Sequence, residues 1–264
     1  MSTVTLSELY VYPVKSCRGV SLSSARVVRR GLEHDRRWML VDPEGRFVTA
    51  REEHQLVTVE AHLEHQRIVL RASGRSSLEL PLVLSGGPTR SVTVWRSTVE
   101  ALEHPDGGRW FSELCGRPLS LVFMPDESER AVNPERGRAG DIVSFADGYP
   151  LLLIGEGSLA DLNQRLSAPV DMRRFRPNLV VRGLPPFAED DLSTFSIRSV
   201  RFRAVKPCER CVMTTVDPDT GVAGKEPLSA LAAYRRTDAG VLFGMNLIHD
   251  TAGELCVGDS LFFS

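Results

Sequence analysis

Short runs of β-branched and aromatic residues, each closed by a glycine or proline turn, fill the first hundred residues and restrict the chain to a strand-built fold. Residues 4–13 open with partial apolar/polar alternation. Residues 37–41, the turn Asp42-Pro43-Glu44-Gly45 and residues 46–50 read as strand, turn and strand. Residues 67–72 and 91–95 add further strands, and such repetition predicts a barrel or a sandwich. Trp110, Phe111 and Leu114 at helical spacing predict a short helix over 108–114, stopped by Gly116-Arg117-Pro118.

A strand at 119–123 opens a second unit, dividing the chain into residues 1–118 and 119–264. Residues 126–140 are polar and aperiodic, with Arg130, Arg136 and Arg138, and read as a long loop that is either mobile or functional. Helices are expected over 158–166, with Ser158 as N-cap, and over 227–235, opened by Pro227. Strands are expected at 178–181 and 200–205 and at the end of the chain. The fold class is thus mainly β with a few helices (α+β).

The formal charge of -2 excludes a dedicated binder of polymeric nucleic acid, which would be basic over a whole face. No apolar run is long enough to span a bilayer, and residues 1–5 carry no charged and apolar leader pattern. The five cysteines, at 17, 115, 208, 211 and 256, are odd in number and scattered. That pattern is no disulfide framework, and it leads to the expectation of a cytoplasmic location.

Chemistry concentrates in Pro207-Cys208-Glu209-Arg210-Cys211-Val212-Met213-Thr214-Thr215-Val216-Asp217-Pro218-Asp219-Thr220-Gly221. A redox dithiol would need a helix after the Cys-x-x-Cys, whereas Val212, Thr214, Thr215 and Val216 favour β structure. A structural zinc site would need more ligands than this pair offers. There remain two buried cysteines acting as small hydrophobes, or one thiolate in an open metal or cofactor site, with Arg210 beside Cys211 to hold its charge.

Basic residues elsewhere stand at breaks between elements. Lys15 and Ser16 follow the first strand in a bend suited to a phosphate, or to an ordinary polar turn. Arg36 and Arg51 flank the predicted hairpin and could face an anion together, or simply face water. Arg176 and Asn178 precede a buried strand, where the arginine could reach an anion and the asparagine a heterocycle. Asp147 lies at a glycine turn, and Asp217 to Gly221 reads as a turn by composition.

Taken together, YPVKSCRGV at 12–20, GLEHDRRW at 31–38, VTAREE at 48–53, FRPNLVV at 175–181, RCVMTTVDPDTG at 210–221, KEPLSALAAYR at 225–235 and VGDSL at 257–261 resemble the MOSC family of molybdenum-cofactor proteins. The resemblance covers essentially the whole chain and is nearest to the amidoxime-reducing branch, which carries an N-terminal MOSC β-barrel domain. It implies a MOSC N-terminal domain over 1–118 and a MOSC domain over 119–264. It also implies a molybdenum cofactor (Mo-molybdopterin) with Cys211 as metal ligand.

By the same resemblance, Lys15, Ser16, Arg36, Arg176, Asn178 and Arg210 hold the cofactor, and Arg51, at the hairpin end facing Arg36, is assigned to it with them. Asp147 is a carboxylate near the metal, with a general-acid role, and Cys208 is not the permanent ligand. Gly148-Tyr149 depart from the hydroxyl residues common after that aspartate. The implied activity is reduction of N-hydroxylated substrates such as hydroxylamines, amidoximes or N-hydroxy bases. Because the sequence ends soon after VGDSL with no further cysteines, electrons are expected from a separate ferredoxin- or flavoprotein-type donor. A non-catalytic cofactor carrier and a sulfur transferase are the other roles the wider family suggests.

Overall fold

The computed structural model describes residues 3–263; Met1 and Ser2, part of the segment read above for a leader, and Ser264 lie outside the described residues. Among the described residues the largest sheet has nine strands and interleaves both ends of the chain. Its first strand, Thr5–Val11, pairs antiparallel with Leu179–Arg182 and with Val20–Leu22. Leu151–Gly155 lies parallel to Leu179–Arg182, and the helix Glu156–Arg165 makes the crossover that parallel pairing requires. Gly240–His249 and Val200–Glu209 continue the sheet as a long antiparallel pair.

A five-stranded sheet carries the N-terminal hairpin, with Leu40 opposite Val48 and Val41 opposite Phe47, as the turn chemistry predicts. The strand Ser120–Phe123 joins this sheet beside Trp38–Val41. Its Leu121 and Phe123 pack with Trp38, Leu40, Val48 and Phe111 in one buried cluster. Leu6, Leu9, Leu153, Leu179, Phe202 and Leu247 belong to a second cluster, on the nine-stranded sheet.

The first helix runs Gly107–Cys115 and ends as expected on Gly116, whose φ of 70° is the left-handed cap that glycine adopts readily. The second differs from expectation. It starts at Glu156 with Gly155 as N-cap, and Ser158 lies inside it. The Ser158 hydroxyl donates to Glu189 Oε2 at 2.7 Å, and Gly155 N–H donates to Glu189 Oε1 at 3.1 Å. A carboxylate from a distant turn thus serves the helix start, where a local cap was expected, and anions are favoured at that end.

The strand expected at 200–205 runs on to Glu209, with register shifts between Ala204 and Lys206 and between Pro207 and Glu209. A bulge tolerates Pro207 within a strand and re-aims the side chains that follow. The β-branched stretch after Cys211 is not a strand but a 3-10 turn, Val212–Thr215, with Cys211 at its N-cap. The Thr214 hydroxyl donates to Cys211 O at 3.0 Å and the Thr215 hydroxyl to Val212 O at 2.8 Å. These local bonds outweigh the β preference of the side chains.

The loop expected at 126–140 lacks regular strands and is pinned by buried arginines. Arg30 donates to Asp126 O at 2.9 Å. Arg130, 5% exposed, donates to the carbonyls of Ser144, Ala146 and Asp147 at 3.0, 2.5 and 2.7 Å.

Candidate functional site

Loops from both halves meet over the ends of these strands. Lys15, Ser16, Arg36, Arg51, Asp147, Arg176, Asn178, Arg210 and Cys211 all line one open cleft of about 450 Å³. Three of them hold the left-handed backbone: Ser16 at φ 73°, Arg36 at 47° and Arg176 at 56°. Each costs on the order of 1 kcal/mol or more, and such residues persist where the surroundings over-determine them.

Tyr12 organises the cationic wall. Its ring is buried, and the Arg36 and Arg176 guanidiniums lie over it at 4.1 and 4.2 Å from the centroid. Its hydroxyl donates to Pro177 O at 2.9 Å. A Cβ on Gly19 would come within 2.5 Å of that ring, so only a bare α-carbon fits there. Asp35 balances Arg36 at 2.6 Å and also accepts from Tyr12 N–H at 2.8 Å. Two guanidiniums lying over one aromatic ring are each stabilised by it, and both line the cleft. Burial lowers Arg176 to about 10 despite the neighbouring Tyr12.

Asn178 differs from its expected use. Its carbonyl oxygen accepts from Leu152 N–H and from Arg36, both at 3.2 Å, and its amide donates to Tyr10 O at 3.1 Å. Most of its bonding capacity is spent on the protein, which makes it a support for Arg36 more than a contact for a heterocycle.

Asp147 sits between cations. Lys15 Nζ donates to Oδ1 at 2.5 Å, Arg51 to Oδ2 at 2.7 Å and the Trp95 indole N–H to Oδ1 at 3.2 Å. Burial works to raise its pKa, but Lys15 and Arg51 outweigh burial and hold it well below the usual carboxylate range. The two ion pairs favour the ionised carboxylate over the acid expected here, and through them Asp147 fixes Lys15 and Arg51. Burial lowers Lys15 to about 8, against the pull of Asp147.

The folded state thus resists protonating Lys15, and the unfolded chain binds more protons between about 8 and 10.5, so this group makes stability rise with pH across that window. Asp147→Asn is expected to push the Lys15 pKa further down and widen the window towards neutral pH. NMR titration of the Lys15 ammonium checks this, and an unchanged or higher pKa in the variant contradicts the pairing.

The two cysteines divide the neighbouring cations in the opposite sense to the sequence expectation. Arg210 Nη1 lies 3.0 Å from Cys208 Sγ and Nη2 donates to Phe175 O at 2.6 Å. Neighbours along an extended chain face opposite ways, so Arg210 shares its side with Cys208, two residues back. Arg51 lines the same cleft as Cys211, and its pKa, which burial would lower, is raised by Asp147 and by Cys211.

The turn after Cys211 is clamped from outside. Asp217 Oδ1 accepts from Asp219 N–H and Thr220 N–H, both at 3.0 Å. Arg174 bridges Thr215 O at 3.1 Å and Asp217 Oδ2 at 2.8 Å. Arg18 and Arg173 both reach Asp219.

Sequence reasoning missed Tyr12, Asp35, Trp95 and Arg130. Tyr12 and Asp35 lie in segments singled out for Lys15 and Arg36, so adjacency was their one signal. Trp95 read only as the end of a strand, and Arg130 as part of a polar loop. Among the described residues no three His, Cys, Asp or Glu side chains converge as a metal site.

Comparison with known proteins agrees with this architecture. The chain matches the MOSC N-terminal beta barrel domain over residues 3–118 and the MOSC domain over residues 140–262. It is 37% identical to mitochondrial amidoxime reducing component 2 of Bos taurus, covering 98% of this chain and 82% of that protein. It is 36% identical to mitochondrial amidoxime-reducing component 1 of Homo sapiens over the same shares. A molybdenum cofactor sulfurase of Oryza sativa subsp. japonica is 33% identical across 96% of this chain but only 34% of its own length. Among solved structures, the YuaD protein of Bacillus subtilis aligns over 98% of this chain and 94% of that one, with a TM-score of 0.44 and 10% identity. With curated relatives above 30% identity along nearly its full length, the chain belongs to the MOSC-domain family, in the branch that joins a MOSC N-terminal β-barrel domain to a MOSC domain.

Proposed function

We propose that the protein reduces N-hydroxylated compounds (hydroxylamines, amidoximes or N-hydroxy bases) with a molybdenum–pterin cofactor held in this cleft. The observation that carries the reading is the Cys211 thiol in a cleft lined by Lys15, Arg36, Arg51, Arg176 and Arg210, with Asp147 the counter-charge to Lys15 and Arg51. Two buried N–H groups there, Arg176 Nη2 and Arg210 Nε, have no partner among the described residues. Unspent buried donors are costly unless a ligand takes them, and an anionic cofactor would.

Cys211 would ligate the metal through its thiolate, a ligand type that soft metals accept. Lys15, Ser16, Arg36, Arg51, Arg176 and Arg210 would hold phosphate and pterin, with Asn178 keeping Arg36 in place. When bound, the cofactor supplies the two-electron redox chemistry, and the protein supplies binding, orientation and charge. In sum, R–NHOH takes two electrons and two protons to give R–NH2 and water. The cleft is open to solvent, which provides the protons, while Asp147 stays ionised and keeps Lys15 and Arg51 aligned.

The amidoxime-reducing names of the relatives support this substrate class, and a separate electron-donor protein completes the scheme. No helix among the described residues is long and apolar enough to cross a membrane. The cysteines are all free thiols, which suits a reducing compartment such as the cytoplasm. The test is turnover: holoprotein with reduced viologen as donor is expected to convert benzamidoxime to benzamidine, and molybdenum-loaded protein without turnover overturns the reading. Transfer of cofactor to an acceptor apoenzyme in that case would mark a carrier.

The sulfur-transfer alternative has one observation in its favour, the Cys208 sulfur lying in the same cleft as Cys211. A mass increment of one sulfur on either thiol after treatment with a polysulfide, whose own S–S bond breaks as its outer sulfur passes to the cysteine thiolate, would support it.

A further inference from the structure

We infer that Trp95 selects the substrate, its indole forming a stacking platform for flat, π-conjugated N-hydroxylated compounds beside Asp147. The inference rests on the reductase reading above and adds the substrate class to it.

Trp95 stands in the two-residue turn between the strands Thr89–Val94 and Ser97–Glu103, where Val94 pairs with Ser97. Its φ is 56°, the left-handed region that favours glycine and strains a bulky residue. The ring is also 49% exposed, an unusual position for an indole with no core to fill. Neither feature serves the hairpin, which glycine would close more easily.

Yet the ring is fixed. Its N–H donates to Asp147 Oδ1 at 3.2 Å, the Arg51 guanidinium lies 5.0 Å from its centroid and the Phe47 ring lies at 5.1 Å. Asp147 and Arg51 are themselves site residues, so the hairpin tip is tied to the candidate centre. Beside Asp147 the floor is open: a Cβ on Gly148 would meet nothing within 4 Å. Tyr149 lines the same cleft. A half-exposed, immobilised aromatic face next to open space suits a planar ligand, because stacking is indifferent to heteroatom pattern but requires a π surface. A small aliphatic substrate would gain nothing from it.

The test compares benzamidoxime with acetamidoxime, which share the reacting group and differ in the ring. In Trp95→Gly holoprotein, the benzamidoxime-to-acetamidoxime ratio of kcat/KM is expected to fall about ten-fold, the effect of losing one stacking contact, and Trp95→Phe should restore most of it. A second readout is independent of turnover. Trp38 and Trp110 are buried, at 0% and 8% exposure, so quenching of tryptophan emission reports mainly on Trp95. Benzamidoxime should quench wild type far more than acetamidoxime does, and the difference should vanish in Trp95→Gly.

An unchanged ratio, or equal quenching by both compounds, overturns the platform. A parallel loss on both substrates with loss of bound molybdenum overturns it too, because Trp95 would then support the cofactor. Wild type that reduces neither compound but shows selective quenching defeats the reductase reading while upholding the platform.

Discussion

Replacing Cys211 with alanine is expected to strip molybdenum from the purified protein and to abolish reduction of N-hydroxylated compounds, while the fold survives. Elemental analysis of the purified variant reads the first effect. The local structure does not depend on the sulfur: the Cys211 carbonyl accepts Thr214 N–H at 3.1 Å and the Thr214 hydroxyl at 3.0 Å, and both bonds remain in alanine. A lost second-sphere partner of a metal ligand already costs about 10–100-fold in affinity or activity, and loss of the proposed ligand itself should exceed that.

Cys208→Ala is the control. Its sulfur meets Arg210 at 3.0 Å and sits beside a cluster that includes Ile154 and Phe243, so molybdenum should stay near the wild-type level. Wild-type molybdenum content in Cys211→Ala would remove Cys211 from the site.

Tyr12→Ala is expected to produce the largest loss of stability, about 3–5 kcal/mol, the usual range for emptying a buried aromatic position. The ring is 2% exposed and is the surface over which Arg36 and Arg176 lie. Without it, two guanidiniums face each other across a void with only Asp35 nearby as counter-charge, and cofactor retention should fall with stability. Tyr12→Phe keeps the ring and loses only the bond to Pro177 O at 2.9 Å, for a cost of about 1 kcal/mol. Urea unfolding of the two variants measures the difference. A Tyr12→Ala protein as stable as Tyr12→Phe would show that the ring does not organise the wall.

Much of this was legible in the chain. Strands at the N-terminal hairpin followed from turn chemistry, and the helix stop at Gly116 from its left-handed cap. The nine candidate residues could be named because they stand at breaks between elements and, Asp147 apart, within a motif. What failed were inferences from adjacency and propensity. Arg210 is next to Cys211 in sequence, but alternation along the chain turns it to Cys208. Val212 to Thr215 have strand-forming side chains, yet threonine hydroxyls bonded to carbonyls three residues back fold them into a turn. Ser158 looked like a cap and became an interior helical residue because Glu189, 31 residues away, took the capping task.

The amino-acid sequence by itself determined the family, the mainly β architecture and the residues that meet in the cleft, because these are carried by local pattern and motif. The tertiary structure alone decided which charge rests on which group. Lys15 and Asp147 are 132 residues apart and become a 2.5 Å pair only after both halves close over the strand ends. That pairing favours the ionised form of Asp147, where the family resemblance implied an acid, and ties Arg51 to the same carboxylate. Charge state depends on burial and on neighbours across space, and neither is written in the order of the residues.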